Sequence, residues 1–469
     1  MNIVDKKIHS DQHNSISDRL SAFALGLSFE AIPEKVRERA KYLMLDAIGI
    51  AYASHSFVFG RATMEAMRSL GAGSSPVIGF GRSLSPRDAA VMNGVLARGL
   101  DYDDTHSPGV IHATASSLPL ALALSDQLRV SGRDLLLAYT AAMETSTRLG
   151  SVAKGGFHQV GFHPTGLIGI FGCTLAASRL LGLSAEQATM AQGIALSQAA
   201  GSLEFLEDGA WTKRMHPGWA ASSAITAATL AKYGFIGPRA AYEGRFGLFA
   251  SHLGPLMASA DMSLATEELG RTWQIEEVAI KPVPACHFTH AAADAAVALS
   301  GKVKPADIKS VDVLVPAEVI KTVCEPEENK RAPANSYDAQ FSIPYIVATG
   351  LLRGRFTLDE LEDKAIADGE VLALARRVNY AADPASTFPK HYTGEVIVTL
   401  VGGDKIRHRE GINRGCADRP LTNDEIEMKY FDNACRILKR DHAERVRDAV
   451  VALDRSPAAA LGDILAKIA

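Results

Sequence analysis

The feature that most constrains this chain is a series of small-residue apolar segments that each open on a helix cap. "SPRDAAVMNGVLARGL", "SGRDLLLAYTAAMETSTRLG" and "SAEQATMAQGIALSQAAGS" begin with serine, place an acid in the first turn and continue as apolar helix. Alanine and glycine let helix axes approach closely. The first ~270 residues therefore read as one large packed helical domain rather than as separate amphipathic surface helices. In "PEKVRERAKYLMLDAIGIAYAS", Val36, Ala40, Leu43, Ile48 and Ala51 fall along one stripe, with Pro33 at the first turn. "SISDRLSAFALGL" begins with another potential serine cap.

The pattern changes near residue 270. "IKSVDVLVP" alternates, with Val311, Val313 and Val315 on one face, and reads as a strand. "GEVIVTLVGGDKIRHRE" reads as two strands turning at Gly402-Gly403-Asp404, and "RRVNYAADP" as another. Helical segments, "HAAADAAVALSG" and "FSIPYIVATGLLRG", lie between them, and the chain is helical again after Pro420. The expected fold is mainly α: a large all-helical domain (residues 1–270 with 411–469) with an inserted smaller α+β lid domain (271–410). A cleft between the two is the expected active site.

Composition narrows the function. With 469 residues, 47 % hydrophobic and 22 % charged, the chain can bury a large core. A net charge of −4 without a basic stripe points away from nucleic acid. The five cysteines are scattered with no C-x-x-C spacing, as expected of free thiols in a reducing compartment. The opening "MNIVDKKIHSDQHNS" has no apolar core for a secretory signal, and no run supplies the about twenty apolar residues a membrane span needs. The expectation is a cytoplasmic protein.

Four segments carry chemistry. "LDYDDTHSPGVIHATASS" packs Asp101, Asp103, Asp104, Thr105, His106 and His112 together. No ligand spacing such as H-E-x-x-H favours a metal there; the open readings are an acid/base loop and an acidic helix end with local caps. "GFHPTGLIGIFG" sets His163 at a helix entrance, and "DGAWTKRMHPGWAASSA" sets Lys213, Arg214 and His216 at another. "IKPVPACHFTHAAADAA" holds Lys281, Cys286, His287 and His290. Taken singly, these also read as a surface histidine, a solvated basic pair and a buried thiol. Taken together, they place acids, bases and cations beside helix starts, which favour anions. That set suits proton abstraction next to a carboxylate, with cationic groups stabilising the enolate-like charge. There is no P-loop, no dinucleotide fingerprint and no G-x-S-x-G elbow.

In the same order along the chain, "NGVLARGLDYDDTH…H", "GFHPTGLIGIFGCTLAASRLLGL", "KRMHPGWAA", "EGRFG", "KPVPACHFTH" and "AQFSIPYIVATGLLRG" resemble the MmgE/PrpD family over about residues 15–455. The resemblance implies a helical domain with an α+β lid, a homodimer, and cofactor- and metal-free chemistry on a small di- or tricarboxylate. By the resemblance Asp101, Thr105, His112, His163, Lys213 and Lys281 are candidate active-site groups; the roles expected for them here are His112 and His163 as acid/base groups, Lys213 and Lys281 as carboxylate grips, and Asp101 orienting a partner. Thr105, His216 and His287 join them as substrate-binding candidates. Two departures stand out: Ala113-Thr114 follows the loop histidine where Pro-Ser is common, and Cys286 stands where decarboxylases of the family carry histidine. The first expected activity is a lyase dehydrating a 2-methylcitrate-like hydroxy acid. The other readings are decarboxylation of cis-aconitate, epimerisation of an iminodisuccinate-like acid, and a non-catalytic carboxylate-binding protein.

Overall fold

Helices account for most of the molecule. A computed structural model describes residues 14–468; the polar opening stretch, up to residue 13, lies outside them. The chain is mainly α and forms two compact units: the described residues of Met1–Ala279 with those of Thr422–Ala469, and Ile280–Leu421. No single helix among the described residues is long and apolar enough to cross a membrane.

The first unit begins with α1 (Ile16–Gly26), α2 (Glu34–Ser54), α3 (Val58–Leu70), α4 (Pro86–Arg98), α5 (Thr114–Leu128) and α6 (Gly132–Val152). It continues with α7 (Gly156–Gln159), α8 (Pro164–Leu180), α9 (Ala185–Leu196), α10 (Phe205–Asp208) and α11 (Thr212–Lys232). Ser15, Ser131 and Ser184 form capping boxes on α1, α6 and α9, and Ser85 caps α4 ahead of Pro86. Each such cap contributes about 1 kcal/mol. Helix α8 is buried on every side from Pro164 to Ser178 and packs against α5, α6, α9 and α11. A helix apolar all round must lie inside.

Helices α4 and α11 cross almost backbone to backbone. A Cβ on Gly94 would stand 2.4 Å from Gly218 Cα, and one on Gly218 would stand 2.3 Å from the Val91 carbonyl oxygen. Only glycine fits there. The crossing sets the residues at the end of α4 beside those at the start of α11.

The first unit is not purely helical, which corrects the all-helical expectation. Strands β1 (Ser75–Val77) and β2 (Gly81–Leu84) form a short antiparallel ribbon, and β3 (Thr105–His106) pairs antiparallel with β4 (Val278–Ala279). The second ladder holds the chain near 278 against the loop after α4. At the far end, the helix Asn423–Ala434 packs on α2. Its Lys429 pairs with Asp46 of α2 at 2.7 Å and donates to the Tyr102 carbonyl at 2.9 Å, so the carboxy-terminal segment also anchors that loop.

In the second unit, β5 (Ile308–Val315), β6 (Val378–Ala382), β7 (Gly394–Leu400) and β8 (Lys405–Glu410) form one sheet in the order β6-β5-β7-β8. Strands β5 and β6 are parallel, and the other pairs antiparallel. Val311, Val313 and Val315 point to the buried face, as their alternation predicts. The helix His290–Leu299 packs on β7 and β8, and the helix Ile343–Arg353 packs on it in turn.

Candidate active site

Arg98, the last residue of α4, is a fully buried arginine. Its Nη1 donates to Asp101 Oδ1 at 2.7 Å and to Asp103 Oδ1 at 2.5 Å. A buried guanidinium must be paired, and these two carboxylates shape the loop that follows. Asp101 adopts φ +53°, and Val110, a β-branched residue, φ +51°. Such backbone strain persists only where the surroundings enforce it, and it concentrates at functional sites. The turn between them is closed by paired backbone bonds of His106 and Ile111. His106 Nδ1 accepts from the Gly109 amide at 3.1 Å, so its Nε2 carries the proton given to Gln274 Oε1 at 3.1 Å. Burial takes that imidazole down to about 4. It is a neutral structural group of the loop.

Asp101 Oδ2 accepts from Lys213 Nζ at 3.1 Å. Lys213 lies in the first turn of α11, with its ammonium 5.6 Å from the centre of the Phe205 ring. Two carboxylates, Asp101 and Asp103, thus face two cations, Arg98 and Lys213. An ammonium has three donors, so the bond to Asp101 does not exclude a substrate carboxylate.

His112 closes the loop. Its Nδ1 is 2.6 Å from the Asp104 carbonyl oxygen and 3.3 Å from Thr105 Oγ1, while Asp103 Oδ2 stands 3.9 Å away. A carbonyl only accepts, so Nδ1 carries the proton and Nε2 is the basic nitrogen of the neutral ring. The His112 amide donates to Thr165 Oγ1 at 3.1 Å, which ties the loop to the first turn of α8.

His163 caps that helix from an extended backbone, with Pro164 in the first turn. The ring is buried. Its Nδ1 lies 2.9 Å from His216 Nδ1, and its Nε2 is buried with no hydrogen-bond partner. The His112 ring centre is 6.2 Å away. Burial drives His163 well below the usual imidazole range, with Arg98, His216, Lys213 and His112 adding to it. His216 falls to about 4 through burial, then Arg98 and Lys213. Both rings are neutral at neutral pH, and an unsatisfied buried nitrogen is costly. A ligand that engages Nε2 would remove that cost.

Asp104 is buried, and burial raises its carboxyl to about 7 despite the bond from Thr114 Oγ1 at 2.5 Å. Asp104 is therefore a buried carboxyl that titrates near neutrality, while the buried histidines His163 and His216 fall well below.

Lys281 and His287 belong to the second unit, and both are buried. His287 Nε2 is 3.1 Å from Asn413 Nδ2, an amide that donates, so Nε2 accepts. Burial, then the charge of Lys281, takes His287 down to about 3. Cys286 accompanies them, partly exposed.

The comparison with known proteins meets this geometry at both ends of the chain. The MmgE/PrpD N-terminal domain matches residues 18–259 and the MmgE/PrpD C-terminal domain matches residues 283–455. The chain belongs to the MmgE/PrpD family. This MmgE/PrpD protein is 28 % identical to cis-aconitate decarboxylase of Mus musculus over 94 % of its own length and 91 % of that protein's. It is 30 % identical to cis-aconitate decarboxylase of Homo sapiens, over 92 % and 90 %. It is 25 % identical to 2-methylcitrate dehydratase of Escherichia coli (strain K12), over 78 % and 77 %. It is a lyase of the MmgE/PrpD type.

Asp101, Thr105, His112, His163, Lys213 and His216 thus come together in the first unit of the MmgE/PrpD protein, while Lys281 and His287 stand in the second. The reading from sequence passed over Arg98, Thr165 and the protonation of Asp104. Arg98 did leave a signal: one arginine at the end of the apolar run "AAVMNGVLAR" needs a buried partner.

Proposed function

We propose that this lyase acts on a small tricarboxylate and removes carbon dioxide from a cis-aconitate-like acid, with His163 as its proton-transfer group. The observation that carries the reading is the buried, partnerless His163 Nε2 beside the cationic pair Arg98 and Lys213. In this reading Lys213 holds a substrate carboxylate. As the carbon–carboxylate bond breaks, its electron pair delocalises toward the remaining unsaturated carboxylate, where positive charge stabilises it. His163 then gives a proton to carbon, and binding of a trianion raises the imidazole's readiness to carry one. His112, with its basic Nε2, is the second acid/base group.

Decarboxylation comes ahead of dehydration here because decarboxylases from mouse and human align with nine tenths of both chains. The second reading is dehydration of a 2-methylcitrate-like hydroxy acid, supported by the Escherichia coli relative. There His163 takes the proton beside the carboxylate, and hydroxide leaves from the neighbouring carbon with a proton from His112, which must then enter the step doubly protonated, its Nδ1–H staying on the Asp104 carbonyl and its Nε2–H going to the leaving oxygen.

The test is to incubate the enzyme with cis-aconitate, citrate, 2-methylcitrate and iminodisuccinate in deuterated water and follow products by NMR. Release of carbon dioxide with one deuteron fixed on carbon supports the first reading, and water loss alone the second. His163→Ala should abolish either while the circular dichroism spectrum is kept. Turnover near the wild-type rate in that variant defeats the role given to His163. We further propose a homodimer, supported by the large apolar side chains exposed at Tyr233, Phe235, Ile236 and Phe246; a monomer mass by light scattering overturns it.

A further inference from the structure

The role of His216 follows from its two surroundings, a histidine on one side and a cavity on the other. It stands in the second turn of α11, three residues after Lys213. Its Nδ1 is spent on His163 Nδ1 at 2.9 Å. His216 also lines a cavity of about 430 Å³ that it shares with Glu204, Phe205, Asp208, Met215 and Trp219. Glu204, Asp208, Met215 and Trp219 are exposed, so this cavity communicates with solvent. His163 does not line it, and its Nε2 is enclosed.

Resting on the proposed lyase reading, we propose that His216 is the proton port of the site: a proton passes between the solvent-facing cavity and His163 Nε2 through the Nδ1–Nδ1 bond of the two histidines. His216 acts through His163 and does not grip substrate. This departs from the substrate-binding part that the resemblance suggests for it.

The protons balance. In one arrangement His216 Nδ1–H donates to His163 Nδ1, and His163 carries its own proton on Nε2, ready to act as an acid. Delivery of that proton to carbon draws the His216 proton across to His163 Nδ1, and His216 takes a replacement on Nε2 from the cavity. Each ring gains one proton and loses one, so neither becomes an anion. The end state has His163 Nδ1–H donating to His216 Nδ1, with a bare Nε2, which is the base form. Running the sequence backward takes a proton from carbon and discharges it to the cavity. The pair resets when a water entering the vacated site protonates His163 Nε2, the His163 Nδ1 proton returns to His216 Nδ1, and His216 Nε2 releases its proton to the cavity; the hydroxide formed leaves with the product. Decarboxylation of a carboxylate consumes one proton per turnover, because the carbon that loses carbon dioxide must be protonated. A neutral imidazole that gives up its Nε2 proton must gain one on Nδ1 at the same moment, and His216 is the group placed to provide it. Glu204 and Asp208 at the cavity are carboxylates able to exchange that proton with solvent.

The experiment uses the full-length enzyme and the acid it turns over. His216→Asn keeps a side-chain amide in the place of Nδ1 but cannot relay. It should lower kcat by about 100-fold, the scale of general acid–base catalysis, with KM within about twofold. In His216→Ala, added imidazole should restore turnover saturably, because the cavity admits it, and the restored rate should follow the donor strength of substituted imidazoles. Full kcat in the asparagine variant, a rise in KM alone, or no rescue of a folded alanine variant would overturn the relay. Substrate-free enzyme labelled with ¹⁵N-histidine gives an independent reading. Scalar coupling between the two Nδ1 atoms should be seen in wild type and lost in His216→Asn. Its absence from wild type defeats the relay even if the lyase reading stands, whereas failure of every acid to react defeats the lyase reading and leaves this measurement unaffected.

Discussion

Lys213 Nζ stands 3.1 Å from Asp101 Oδ2, and Asp101 reaches it from a left-handed backbone at φ +53°. The other oxygen of the same carboxylate is held by Arg98 at 2.7 Å. Asp101 is therefore a clamp between the end of α4 and the start of α11. Its charge and its backbone can be tested apart, because asparagine adopts the left-handed region more readily than most residues. Asp101→Asn should keep the loop and lose the hold on the ammonium. A misplacement of about 1 Å can cost 100-fold in rate, so kcat/KM should fall by about that factor with the thermal unfolding midpoint little changed. Lys213→Ala should abolish turnover in a protein that still folds. Steady-state kinetics beside a melting curve checks both; near-normal rates in either variant would remove the pair from the mechanism.

The crossing at Gly218 makes a second prediction, one that links packing to chemistry. Gly218→Ala puts a methyl group 2.3 Å from the Val91 carbonyl, which is backbone and cannot rotate away. Overpacking of this kind costs about 1–3 kcal/mol. The helices must separate, and Lys213 and His216 move with α11 while Arg98 stays with α4. We expect a lower urea midpoint together with a fall in kcat larger than a stability loss alone would give. Leu230→Ala, on an exposed position near the far end of the same helix, should leave both within error.

How much of this could be read from the chain follows from the range over which its signals act. Caps and apolar periodicity are local, so Ser15, Ser131 and Ser184 announce their helices, and Val311, Val313 and Val315 announce theirs as a strand. Strands of two or three residues, such as β3 and β4, carry no alternation to detect. The site is a matter of distant partners. His163 and His216 are 53 positions apart and meet only because α8 and α11 pack together. Asp103 and Asp104 looked like capping residues of the loop; Asp103 instead pairs with buried Arg98, and Asp104 is buried beside Thr114. Burial, which decides the protonation of Asp104 and of both histidines, is a property of the packed unit and not of the local sequence.

Asp104 supplies the last prediction. Burial raises its carboxyl from 3.8 to about 7, with Asp103 and Asp46 adding to the effect and the bond from Thr114 opposing it. Between those values the folded protein binds a proton that the unfolded chain has released, so stability declines as pH rises through this window. The contribution is fully present below 3.8 and lost above about 7. A shift of that size corresponds to roughly 4 kcal/mol. Asp104→Asn imitates the protonated side chain and still offers an oxygen to Thr114. The variant should match wild type near pH 4 and exceed it in unfolding free energy by a few kcal/mol at pH 8, measured by urea titration at each pH. A constant gap from pH 4 to pH 8 would show that Asp104 is ionised throughout, held by cations rather than neutralised by burial.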